Sequence, residues 1–86
     1  MEIFRTDDFD RVFKKLPKEI QRLYQVQERR FKDNRHDSRL HIKKIRTLPF
    51  ALSFRITRNY RVLFYFQNRE KAIFFYIDHG KDVYRR

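Results

Sequence analysis

The chain has no cysteine, no tryptophan, one glycine and two prolines in 86 residues. Without cysteine there is no disulfide framework and no thiolate site, which fits a reducing compartment. With Gly80 as the single glycine there is no phosphate-cradling loop and no nucleotide-binding strand–loop–helix unit. A nucleophile elbow is excluded for the same reason. No apolar run is long enough to span a bilayer, and the N-terminus MEIFRTDDFD has no signal-peptide character. A cytoplasmic protein without membrane partners is expected.

The most informative scarcity is of negative charge. No acidic residue lies between Asp37 and Glu70, an interval that holds Arg39, Lys43, Lys44, Arg46, Arg55, Arg58, Arg61 and Arg69. Uncompensated cations in the middle of a small domain repel one another. A polyanionic partner is the simplest reason to tolerate them. Nucleic acid leads, an acidic protein follows, and a membrane surface comes third, because no basic amphipathic helix dominates. The net charge is +11, yet 17% of the residues are aromatic, ten of them Phe. Disordered chains rarely hold so many rings, so one folded domain over residues 1–86 is expected.

EIF forms a short first strand. Thr6, Asp7 and Asp8 are N-cap and first-turn residues, and Phe9, Val12, Phe13 and Leu16 follow at helical spacing. Pro17 stops that helix and suits the start of the next, in which Ile20, Leu23, Tyr24 and Phe31 share a face. DNRHDS is a polar connector; LHIKKI is a short strand or extended chain ending at Pro49. In LSFRIT, Leu52, Phe54 and Ile56 alternate with Ser53, Arg55 and Thr57. RVLFYF and AIFFYI are strong strands joined by a turn around Asn68, Arg69 and Glu70. The fold class is α+β: two N-terminal helices packed on a twisted antiparallel sheet of about four strands, whose other face is open and concave.

Arg55 and Arg61 fall on neighbouring strands, about 4.8 Å apart, where two guanidinium groups on one face can grip one phosphate. The plainer reading is two solvated strand arginines; the acid-free surroundings favour phosphate contact. His79 follows the last strand. It is either an exposed end-of-strand residue or a proton-transfer group for metal-free RNA cleavage, helped by a lysine or tyrosine. Tyr84 stacks on a base, transfers a proton or packs on the helices. His36, Asp37 and His41 match no standard metal-ligand spacing, so neither a metal nor any other cofactor is expected.

Taken in order, TDDFDRVFKKLP, LHIKKIRTLPFALSFRITRNYRVLFYF and AIFFYIDHGKDVYR resemble the RelE/ParE superfamily of toxin-antitoxin toxins, on its RelE-like side. The resemblance implies a metal-independent endoribonuclease that enters the ribosomal A site, cuts mRNA to a 2′,3′-cyclic phosphate and a 5′-hydroxyl, and is neutralised by a cognate antitoxin. It implies catalytic roles for Arg61, the sheet arginine of NYRVLF, for Arg55 at a basic strand position, for His79 and for Tyr84. Lys43, Lys44, Arg46 and Arg58 are the expected RNA-binding cations. Two departures stand out. Ser53 stands where some members carry a basic residue, and Gly80 stands where an arginine often follows the histidine. Losing one transition-state donor costs about 100- to 1000-fold in rate. Lys81 is the nearest substitute, without arginine's fork. Two alternatives stand beside the nuclease: a ParE-like gyrase inhibitor, and a catalytically impaired RNA- or protein-binding member of the same fold.

Overall fold

The structure, a computed structural model, describes residues 1–79. In chain order the elements are β1 (Glu2–Arg5), α1 (Asp7–Lys15), α2 (Lys18–Asp33), a 3-10 turn (Ser38–Leu40), β2 (Lys43–Ile45), β3 (Leu48–Arg55), β4 (Tyr60–Asn68) and β5 (Lys71–His79). The class is α+β with both helices preceding the main sheet, as expected. The sheet is five-stranded, in the order β1-β5-β4-β3-β2. β2 to β5 run antiparallel to their neighbours, and β1 pairs parallel with β5. The expected four-stranded antiparallel sheet is thus corrected to a mixed sheet of five. β1 pairs with β5, the described strand furthest from it in sequence, and local periodicity carries no signal for a pairing that distant.

The helices start and stop where their end groups find partners. Thr6 caps α1: its Oγ1 accepts from the Phe9 N–H and donates to the Phe75 carbonyl, so the cap also ties the helix to β5. Asp7, Asp8 and Asp10 occupy the first turn and Lys14 and Lys15 the last, as the helix dipole favours. The Gln21 side-chain amide donates to the Phe13 and Leu16 carbonyls, satisfying the end of α1 from within α2. Pro17, which has no N–H to satisfy, is the N-cap of α2.

In α2 the residues that face the sheet are Ile20, Tyr24, Gln27 and Phe31. Leu23, expected on that face, is 39% exposed, because the stripe follows the 20–24–27–31 spacing and leaves position 23 on its flank. Gln27 takes a place that hydropathy would not give it. It is buried, and its amide donates to the Arg39 and Arg55 carbonyls at 3.0 and 2.6 Å. Pro49 does not end the extended segment but lies inside β3. It sits beside the register shift between Lys44 and Ile45, where the ladder is already interrupted.

Between sheet and helices lies a core of rings. Phe31 has its centroid within 5.2–6.0 Å of Phe54, Phe64, Phe66 and Phe74. A second cluster, Ile45, Ala51 and Leu63 with Leu48 and Phe75, forms on the opposite face of the sheet. β5 serves both clusters through a bulge: Leu63 pairs with Tyr76 and Phe64 with Phe74, so Phe75 is an extra residue. The extra residue keeps Phe74 and Ile77, three apart, both in the helix-side core.

Candidate functional site

The face of the sheet away from the helices carries Arg55, Arg61 and Lys43 among the expected cations. Arg55 pairs directly with Arg61, and Arg61 with Asp78, so the three form one row across β3, β4 and β5. The next row toward the middle of the sheet is Lys43, Ser53, Leu63 and Tyr76. Two guanidinium groups directly opposite on adjacent strands repel one another.

The two arginines resolve this differently. Arg61 is only 2% exposed. Its Nε donates to Ser53 Oγ at 2.9 Å and its Nη2 donates to the His41 carbonyl at 2.6 Å. The serine's small side chain leaves room for the guanidinium to lie across β3 and reach the chain before β2. His41 presents that carbonyl from the left-handed region, with φ at 49°. Arg61 was expected to line an open surface and does not; it is a buried brace that joins β4, β3 and the 3-10 turn. Arg55 is half-buried, and its Nε is buried without a hydrogen-bond acceptor among the described residues.

His79 is the second correction. It pairs with Tyr60, whose side chain packs on the helix-side core, and the two rings lie 5.2 Å apart at 71°. The imidazole therefore lies on the other side of the sheet from Arg55 and Arg61. The cause is the bulge at Phe75: strict alternation along β5 would carry position 79 to the open face, and one extra residue reverses the sides. The expected convergence of two arginines and His79 on one linkage is not what these residues do. Lys81, Tyr84 and Gly80 lie outside the described residues.

The expected RNA-binding cations divide in the same way. Lys43 is exposed and shares the open face through its pairing with Ser53. Lys44 is exposed too, but its partner Leu52 packs on the helix-side core, which turns Lys44 to the other face. Arg46 and Arg58 are exposed in the turns after β2 and β3. His36, Asp37 and His41 line a cavity of about 520 Å³ with Arg35, Ile42 and Phe66, on the helix side. Asp37 is held by Arg39, at 3.0 Å from Nε and 2.8 Å from Nη2; these bonds pull its carboxyl down to a pKa of about 2. No group of three His, Asp or Glu side chains able to hold a metal occurs among the described residues, and no described helix is long and apolar enough to cross a membrane.

No family model matches the sequence, and no curated protein matches it. Solved structures do. A chain of the RelB-RelE antitoxin-toxin complex from Methanococcus jannaschii superposes with a TM-score of 0.73 at 23% identity, over 94% of each chain. The YoeB/ParE toxin from Agrobacterium tumefaciens gives 0.75 at 10% identity, over 93% of this chain and 99% of that one. The toxin-antitoxin complex RelBE2 from Mycobacterium tuberculosis gives 0.66 at 27%, over 91% and 95%. The fold is that of a RelE/ParE-superfamily toxin. Several residues that shape the site carry no clear signal in the sequence: Ser53 as the acceptor for Arg61, the His41 carbonyl, and Gln27 beneath Arg55. Only Ser53 left a trace, as a hydroxyl two residues before an arginine on an otherwise clean alternating strand.

Proposed function

We propose that the chain is the toxin of a toxin-antitoxin pair and acts as a ribosome-dependent mRNA endonuclease. The observation that carries the reading is Arg55. It stands on the face opposite the helices, in a stretch without acidic residues, with a buried donor that lacks an acceptor among the described residues. A buried unsatisfied donor costs about 1–3 kcal/mol, and a phosphate oxygen would satisfy it. In the reaction the ribose 2′-oxygen attacks the adjacent phosphorus and the bond to the 5′-oxygen breaks. The products are a 2′,3′-cyclic phosphate and a 5′-hydroxyl. Arg55 stabilises the charge that builds on the phosphate oxygens. Arg61 is a positioning residue, holding β3 and the His41 turn in place. The proton transfers are assigned to Lys81 and Tyr84, since His79 packs on the far side against Tyr60. The cognate partner is an antitoxin protein, a reading supported by the antitoxin-toxin complexes among the similar structures.

In vitro translation with primer extension on the message tests this. Truncated messages are expected with the native chain, and Arg55→Ala should lower cleavage about 100- to 1000-fold while ribosome binding persists. Intact message at saturating protein overturns the nuclease. The side on which His79 lies favours a second reading, in which the chain occupies RNA without cutting it; translation arrest with intact message would establish that one. Trapped gyrase–DNA cleavage with translation unaffected would point to the ParE-like activity instead.

A further inference from the structure

Phe50 is 60% exposed, more than any other large apolar side chain among the described residues. It is not isolated. Its ring centroid lies 5.9 Å from those of Tyr65 and Phe75, which are themselves 5.9 Å apart. The three rings form a triangle on the open face, anchored through Phe75, which packs on the cluster of Ile45, Ala51 and Leu63. This is the same face as Arg55, which lies five residues further along β3, roughly 16 Å at the rise of a strand. At one margin is the turn between β2 and β3, with Arg46 exposed between Ile45 and Leu48, both packed in that cluster. Between that turn and β5 lies a cleft of about 300 Å³, where Thr47, Leu48 and Phe75 face Asp8, Tyr76 and Asp78.

We infer that Phe50, Tyr65 and Phe75 form a platform on which a base of single-stranded RNA stacks, with Arg46 holding the flanking phosphate. The inference rests on the functional reading above and names how its substrate is seated. Charge decides the occupant: Phe50 and Tyr65 belong to a stretch that has cations and no carboxylate from residue 38 to residue 69, in a chain of net charge +11. That favours a polyanion with flat apolar faces, which single-stranded RNA is. Asp8 and Asp78 keep phosphates out of the cleft beside Phe75 and Tyr76, so the strand follows the cations of β3, from Arg46 before it toward Arg55 at its end. Stacking on aromatic faces tolerates any base, so the platform gives affinity and register with little sequence preference.

The test is equilibrium binding of a short labelled single-stranded RNA to the whole chain over a range of salt concentrations. Stacking predicts that Phe50→Ala and Phe50→Leu each weaken binding roughly five- to hundredfold, while Phe50→Tyr retains it. The salt slope should be unchanged by the Phe50 variants and shallower by about 0.7 for Arg46→Gln. A Phe50→Trp variant should lose indole fluorescence on RNA addition, and the loss should vanish with an abasic RNA. Phe50→Leu binding like the native chain, with no quenching in Phe50→Trp, overturns the platform. Loss of antitoxin binding in Phe50→Leu with RNA affinity intact also overturns it and gives the face to a protein. The functional reading fails separately: if the native chain cuts message and Phe50 variants bind RNA normally, only the platform falls. If message stays intact while RNA binding depends on Phe50, only the nuclease falls.

Discussion

Replacing Ser53 by alanine removes one of the acceptors that hold the Arg61 guanidinium inside the protein. A buried charged donor that loses an acceptor costs about 1–3 kcal/mol. Chemical denaturation of Ser53→Ala should show a loss of that size, with Arg61→Ala losing more because the brace to the His41 carbonyl also goes. Tyr24 offers a pH test. Burial, and then the negative charge of Glu28, push its hydroxyl above the ordinary tyrosine range. A proton held more tightly in the folded state stabilises that state below the unfolded pKa, about 10 for tyrosine, and the contribution is lost as pH rises above it. Unfolding midpoints measured on either side of pH 10 should therefore fall more steeply for the native chain than for Tyr24→Phe. The same hydroxyl donates to Glu28, which also pairs with Arg5, so β1 and α2 are joined through one carboxylate.

Element boundaries and faces were legible where a side chain acts on its own neighbours. Thr6 and the aspartates after it announce α1, and alternation in LSFRIT sorts β3 correctly into Phe54 inside and Arg55 outside. Thr6→Ala should cost about 1 kcal/mol for the lost cap, plus the bond to the Phe75 carbonyl, measured as a lowered denaturation midpoint. What could not be read came from pairings. The bulge at Phe75 is defined by β4, not by AIFFYI itself, and it decides on which side His79 lies. Arg61 reads as an exposed strand arginine until Ser53 and the turn at His41 are folded against it. Of the candidate site, the cation-rich strands were therefore visible in the residues. The division between a buried brace, an available guanidinium and an imidazole on the far side was not.

At the scale of the whole molecule, a charge of +11 is spread over a body whose Cα radius of gyration is 11.9 Å. Self-repulsion at that density lowers stability, and added salt screens it. The melting temperature should rise as a non-binding salt goes from about 10 mM to about 150 mM, over which the screening length drops from about 30 to about 8 Å. RNA affinity should fall over the same range. A midpoint that is flat or falls with salt would show that the cations are individually compensated.

The parallel pairing of β1 with β5 joins residues 2–5 to residues 71–74. Polypeptides are made from the N-terminus, so the opening strand must wait for the chain to be elongated past position 74 before it has anything to pair with. Until then α1 is without the β5 carbonyl that Thr6 binds, and the Phe31 ring is without Phe74. The five-stranded sheet therefore closes only once β5 has emerged from the ribosome, and every earlier nascent form exposes the edge that β1 and β4 later share with it.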